Sequence, residues 1–272
     1  MWPSRSTWSS DAHMKEFEGR VGVGTGAGRG IGRAMAEAMA SRGMHVVLSD
    51  LEPARPERAA NALRAGRSEV VGMVCDVSDP TQVEELATWT VERFGRVDLL
   101  CNNAGIVAGG RTWDISLDDW RRVLGVNLWG AIHAVRSFVP LLMANPDGGH
   151  VVNVSSLAAV NPWPAIAPYN VSKQGLLALS ETLLGDLRAA GSSVGVTVVM
   201  PGRVATGIGL PSGEPVPDYD LDVEPGMLSA EAVADQIMDA IEKERLYLFT
   251  HPDRMEQIEA RFDAIMRAGT EG

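Results

Sequence analysis

Several features are scarce in this chain. It has two cysteines, five histidines and 24 basic residues against 35 acidic ones in 272. A formal net charge of −11 and a pI near 4.9 argue against nucleic acid or an anionic membrane surface as partner. No uninterrupted apolar run reaches the ~18–20 residues of a membrane span, so no membrane is expected. His133, His150 and His251 do not cluster at ligand spacing and read as scattered surface or core histidines, so no metal is expected. In the strand order inferred below, Cys75 and Cys101 end strands separated by two others. Three spacings of ~4.8 Å put them ~14 Å apart, beyond disulfide reach, and they read as buried cytosolic thiols. The first 13 residues lack the continuous apolar stretch of a secretory signal, and a cytoplasmic location is expected.

What is present is ordinary for a soluble globular protein with a sizeable core: 45% hydrophobic and 22% charged residues. Residues 1–18 read as a flexible N-terminal extension, a misassigned start ahead of Met14, or a remnant of cloning. Residues 19–250 read as one catalytic domain, and 251–272 as a C-terminal helical extension. Short β-branched runs at 21–24, 44–50, 69–75, 97–101, 150–155, 194–200 and 246–249 alternate with helical patterns at 31–42, 55–65, 80–94, 118–143, 168–190 and 230–243. Strands apolar on both faces that alternate with helices predict an α/β fold: a doubly wound, Rossmann-type parallel sheet of about seven strands with helices on both faces. The loops at 157–168 and 203–228 are long, and long loops in a compact domain are usually lids or mobile segments.

Two local patterns carry chemistry. The first strand runs into Thr-Gly-Ala-Gly-Arg-Gly-Ile-Gly at residues 25–32. Gly26, Gly30 and Gly32 let the backbone bend tightly and approach a pyrophosphate, and the helix that follows offers unpaired N–H groups to it. Asp50 ends the second strand, where a carboxylate accepts hydrogen bonds from ribose hydroxyls and repels the 2′-phosphate of NADP. Arg29 pulls the other way, but it can turn to solvent, so NAD is favoured over NADP. Ile31 and Leu51 flank these groups and join the cofactor set. The second pattern is Tyr169-Asn-Val-Ser-Lys173. Residues at i and i+4 share a helix face, so the ammonium is expected beside the phenol, pulling its pKa down and making Tyr169 a general acid/base.

With these motifs in order, the chain resembles the short-chain dehydrogenase/reductases, in their single-domain branch, from about residue 19 to 249. The resemblance implies that Asp76-Val77 hold the adenine ring and that Asn102-Asn103-Ala104-Gly105 stabilise the central sheet beside the cofactor. It implies that Pro201-Gly202, with Val204 and Thr206, bind the nicotinamide end. Asn127 falls at the family's catalytic Asn, implied to bind a water linking Lys173 to solvent. Ser156 lies at the family's spacing from Tyr169, although Ser155 is equally well placed on the residues alone. Tyr169 would then exchange a proton with the substrate oxygen, Lys173 would bind the nicotinamide ribose, and Ser156 would hold that oxygen. A homotetramer or homodimer is implied, through the helices near 118–143 and 168–190. Gly22 and Gly24 depart from the bulkier residues expected in the first strand.

The expected substrate is a hydrophobic small-molecule alcohol or ketone, because the candidate walls Ile106, Val107, Leu157, Trp163 and the loop from Val204 are largely apolar. The acidic loop residues Glu214, Asp218, Asp220, Asp222 and Glu224 either discourage anions or form a solvated face. The apolar stripe Met255, Ile258, Phe262 and Ile265 reads either as a helix docked on its own subunit or as a subunit contact. Two other functions compete with an NAD-dependent alcohol dehydrogenase or ketone reductase. One is a dinucleotide-binding regulator without turnover, against which the intact set Asn127, Ser156, Tyr169 and Lys173 argues. The other is a reductase of C=C or C=N bonds on the same fold.

Overall fold

The computed structural model describes Met14 and residues 16–63, 68–208 and 226–270. The five acidic loop residues and residues 1–13 lie outside the described residues. Seven strands form one parallel sheet: β1 Val21–Thr25, β2 His45–Asp50, β3 Val70–Val74, β4 Leu99–Asn102, β5 His150–Val154, β6 Gly195–Met200 and β7 Tyr247–Phe249, in the order β3-β2-β1-β4-β5-β6-β7. Between them run α1 Gly30–Ser41, α2 Ala54–Leu63, α3 Pro80–Phe94, α4 Leu117–Leu124, α5 Gly130–Ala144, α6 Ala167–Ala189 and α7 Ala230–Glu242, with α8 Met255–Thr270 at the end.

Alternation along each strand builds two cores. Val46 and Leu48, Leu99 and Cys101, Val152 and Val154 point to the face covered by α1, α2 and α7. Val47, Leu100, Val151, Val198 and Met200 point to the face covered by α3, α5 and α6. Both cysteines are buried thiols, and they lie in different cores, Cys101 with α1 and Cys75 with α3. Gly22 is explained by close approach: a Cβ there would overlap Met39 of α1.

Element ends follow capping chemistry. Helix α3 starts where the Asp79 carboxylate accepts the Thr81 N–H at 2.9 Å and stops at Gly95, whose φ is 76°. Strand β4 starts two residues later than expected. Asp98 turns its carboxylate onto the Val21 N–H, Arg20 and Arg96 instead.

Helices α4 and α5 are continuous through a π-helical turn, Gly125–Trp129. The combined stretch Leu117–Ala144, though no uninterrupted apolar run, is long and apolar enough, by length and composition alone, to cross a membrane. Its apolar side chains have a place in the fold, since Ala134, Phe138 and Leu142 are fully buried in the α3–α6 core. The terminal helix is divided. Ile258 is buried and Met255 packs on the same core as Leu157 and Val160, whereas Phe262 and Ile265 stay exposed.

The chain reverses direction across the sheet between β1 and β4. The connections that leave their carboxyl ends therefore run in opposite directions, and a crevice opens between them, at the switch point of the topology.

Candidate active site

A cavity of about 550 Å³ occupies that crevice. Of the residues expected to hold a cofactor, Gly26, Arg29, Gly30, Ile31, Asp50, Leu51, Asp76, Val77, Asn103, Ala104, Gly105, Tyr169, Lys173, Pro201, Gly202, Val204 and Thr206 line it. Gly32 does not. It lies behind the loop, where a Cβ would overlap the Asn103 amide and the Gly26 carbonyl.

The loop after β1 turns through Gly26 and Gly30, at φ 58° and 53°, conformations that favour glycine. Asn103 holds it from the neighbouring strand. Its side-chain amide donates to the carbonyls of Thr25 and Gly26 at 3.0 Å each, and its own N–H donates to Thr25 Oγ1 at 3.1 Å. Asn102 ties β4 to β5 through Asn153 Oδ1, and Asn153 in turn donates to Ser180 of α6. The 102–105 segment thus braces the sheet where the crevice opens.

At the β2 end of the cavity, Asp50 Oδ2 accepts the Gly28 N–H at 3.1 Å and Oδ1 accepts the Glu52 N–H at 3.2 Å. Arg55 stands 3.9 Å from Asp50 Oδ1 and pairs with Glu52 at 2.7 Å. Burial, then the neighbouring Arg55, lower the pKa of Arg29, while Asp50 and Glu52 oppose that shift. Arg29 Nη1 is buried without an acceptor among the described residues, an arrangement that costs about 1.5–3 kcal/mol until an anion satisfies it. Asp76 closes the far wall, accepting from the N–H and hydroxyl of Ser78.

At the other end, Lys173 is buried and donates from Nζ to the Val154 carbonyl at 2.8 Å, with its ammonium 5.5 Å from the centre of the Tyr169 ring. The two side chains share a helix face, as their spacing requires. The expected effect on the phenol is not what this geometry produces. Burial raises the Tyr169 pKa, opposed by a hydrogen bond with Ser156. Burial also lowers Lys173 to about 8.

The two serines, inseparable on their residues alone, have different partners. Ser155 is buried and donates to the Lys173 carbonyl at 2.8 Å, which ties α6 to β5. Ser156 bonds Tyr169 and caps the 3₁₀ turn Leu157–Ala159 by accepting the Ala158 N–H.

Asn127 does not line the cavity. It lies in the π-helical turn, where its amide accepts the Ile106 N–H, donates to the Ile106 carbonyl and donates to Ser172 Oγ. The place a Gly105 Cβ would take lies 3.5 Å from Lys173 Nζ and 3.7 Å from Asn127 Oδ1, so the bare glycine keeps the space between them open.

Two expected substrate contacts lie elsewhere. Leu157 begins the 3₁₀ turn with its side chain packed into the α3–α6 core, and it is 4% exposed. Trp163 sits outside the cavity lining and is half exposed. Asn170 holds its main chain by accepting from the Trp163 N–H and donating to its carbonyl. Val107 is likewise absent from the lining, whereas Ile106 is present.

Sequence reasoning missed Arg55, Ser78, Arg121, Arg122, Val126 and Ile208, all of which line the cavity. Arg55 carried a readable signal, since it opens a helix a few residues past Asp50. The arginines of α4 carried none.

The residues present suit a dinucleotide. The α1 N-terminus has no side-chain cap, so its amides are open to phosphate, and the orphaned Arg29 donor faces the same wall. Asp50, at the end of β2, puts a carboxylate on the same cavity.

Comparison with known proteins gives the same picture. The family model described as short chain dehydrogenase matches residues 20–215. The chain is 34% identical over 254 residues to the 1-deoxy-11-beta-hydroxypentalenate dehydrogenase of Streptomyces exfoliatus, covering 91% of this chain and 89% of that one. It is 29% identical over 276 residues to the CLA biosynthesis dehydrogenase/reductase of Lactiplantibacillus plantarum, covering 94% and 96%. Among solved structures, a short chain dehydrogenase/reductase from Burkholderia phymatum in complex with NAD superposes with a TM-score of 0.86 at 40% identity, covering 94% of this chain and 97% of that one.

Proposed function

The chain belongs to the short-chain dehydrogenase/reductase family, and from that premise we propose that it interconverts a secondary alcohol and a ketone on a hydrophobic small molecule, with NAD preferred over NADP. The observation that carries the reading is the convergence of Ser156, Tyr169 and Lys173 on one wall of the cavity whose far end is formed by Gly26, Gly30 and Asp50. When bound, the nicotinamide cofactor supplies the hydride acceptor or donor for the substrate carbon.

Everything else is the work of this chain. Tyr169 exchanges a proton at the substrate oxygen, and Ser156 orients that oxygen by hydrogen bonding. Lys173, positive below about pH 8, donates to the Val154 carbonyl and has hydrogen-bonding capacity left for a ribose. Asn127 shapes the Ile106 edge and leaves the gap at Gly105 through which a proton reaches Lys173. Asp50 accepts the ribose hydroxyls. Ile106, Val126 and Ile208 give the lining an apolar part, and a relative named for a hydroxypentalenate supports an alcohol as substrate.

Arg29 Nη1 and Arg55 are in favour of NADP as a second reading. Separate titrations of NAD and NADP test the choice, and at least a tenfold preference for NAD is expected. Replacing Tyr169 with Phe tests the chemistry. Turnover should fall by about 10²–10⁴ while the NAD dissociation constant stays within about threefold. A Tyr169→Phe protein that keeps most of its turnover would remove Tyr169 from the reaction.

A further inference from the structure

Residue 251 lies just past the end of the family resemblance and holds a histidine that is 6% exposed. We propose that His251 is a positioning residue for the nicotinamide end of the cofactor site, acting through the Pro201-Gly202-Arg203 segment. The inference rests on the reading that this segment takes the nicotinamide end.

The topology brings the two together. Strand β7 pairs with β6 through Val198–Tyr247, Val199–Leu248 and Met200–Phe249. Two residues further along both chains, His251 comes beside Gly202. The Gly202 N–H donates to His251 Nδ1 at 3.1 Å, and Nε2 reaches the Arg203 carbonyl at 3.1 Å. The Thr250 hydroxyl, itself buried, also meets Nδ1 at 2.7 Å.

These partners fix the tautomer. A peptide N–H only donates and a carbonyl only accepts, so Nδ1 is bare and Nε2 carries the proton. One imidazole ring therefore bridges the two peptide units that flank the Gly202–Arg203 bond. Gly202 makes the fit possible, because a Cβ there would come within 2.8–3.0 Å of the ring.

The segment so held feeds directly into the cavity. Pro201, Gly202, Val204 and Thr206 line it, and Val204 bridges to Leu228. Thr206 abuts the phosphate loop, where a Cβ on Gly30 would meet its side chain at 2.9 Å. Past the last β6–β7 pair, Met200–Phe249, the Gly202 N–H is taken by the ring of His251, and the Arg203 carbonyl is shared between that ring and the Leu228 N–H at 3.1 Å. The geometry assigns this histidine a specific task that a core-filling side chain would not have.

The test compares NAD with ADP, which lacks the nicotinamide half, by calorimetry on the wild type, His251→Leu, His251→Asn and His251→Gln. In His251→Leu the NAD dissociation constant should rise tenfold or more while that of ADP stays within twofold. Asn places an acceptor near the position of Nδ1 and should recover most of the loss. Gln reaches only the Nε2 position and should recover less. Equal weakening of both ligands in His251→Leu, or no weakening of NAD, overturns the proposal. Should His251→Leu fail to fold, the Asn and Gln variants decide: tighter NAD binding by Asn supports it, and equal binding overturns it. A wild type that binds NAD no more tightly than ADP refutes the placement of the nicotinamide end and the inference with it. A wild type that does, with an indifferent His251→Leu, refutes the inference alone.

Discussion

Asp50 has two kinds of partner, and its behaviour on substitution follows from both. Its oxygens already hold the amides of Gly28 and Glu52, so it is oriented before any ribose arrives. Asp50→Ser keeps a short polar group for those amides but loses the charge. A charge-assisted bond of about 1.5–3 kcal/mol corresponds to roughly 10–100-fold in affinity. NAD binding should weaken by about that factor, and NADP binding should tighten, because Arg29 and Arg55 would then face its phosphate without an opposing carboxylate. Paired titrations of the variant measure this, and an unchanged NAD:NADP ratio would remove Asp50 from cofactor choice. The residue scale was only partly legible. Asp50 could be found from its place at the end of a strand and Arg55 from its place at the start of the next helix, but the approach of Arg55 to Asp50 and its pairing with Glu52 needed the three-dimensional contacts.

At the scale of elements, β5 and β6 carry a buried titratable group that the proposed chemistry does not use. His150 opens β5 and pairs with Thr197 of β6 at 2.8 Å, and Thr197 passes its own hydrogen to the Arg245 carbonyl. The ring is therefore a neutral donor through Nε2. Burial lowers its pKa from 6.5 to about 3. The folded value lies below the unfolded one, so the unfolded chain takes up a proton first as the pH falls. The stability this group contributes is complete above about pH 6.5 and is lost as the pH drops toward 3, by at most about 1.4 kcal/mol per pH unit. His150→Gln should flatten that dependence. Urea unfolding at pH 6.5 and 4.5 should show the wild type losing about 2 kcal/mol more than the variant. Equal losses would mean that His150 is not the group that titrates. The π-helical turn at Asn127 is a second case where an element was anticipated and its detail was not. Periodicity predicts one long helix over 118–143. The widened turn within it arises where Asn127 clamps Ile106, 21 residues away in sequence.

For the whole molecule, the surface carries large apolar side chains on the helices through which the family resemblance implies assembly. Leu117 is 70% exposed, Trp129 54% and Val171 48%. Exposed apolar side chains of that size on these helices are consistent with the assembly that the resemblance implies. Sedimentation should show a homotetramer or homodimer, and Trp129→Glu should shift it to smaller species without loss of helical signal. A monomeric wild type would refute assembly through this face. Cofactor binding should act on the molecule as a whole by linkage. At NAD a hundredfold above its dissociation constant, about 2.7 kcal/mol of stabilisation is expected, which raises the melting temperature by several degrees.

The amino-acid sequence by itself determined the alternation of strands and helices, the glycine turn after β1, the carboxylate at the end of β2 and the shared face of Tyr169 and Lys173. Each is set by spacing within one segment, where backbone geometry leaves few alternatives. Tertiary structure decided the rest. It gave Ser155 to the Lys173 carbonyl and Ser156 to Tyr169, turned Leu157 into the core and left Trp163 outside the cavity. It buried the Tyr169 phenol, where desolvation outweighs the Ser156 hydrogen bond and raises its pKa. It also brought His251 to Gly202, 49 positions away. The physical reason is the same in each case. Desolvation and the choice of hydrogen-bond partner depend on which distant segments pack together, and local periodicity holds no record of that.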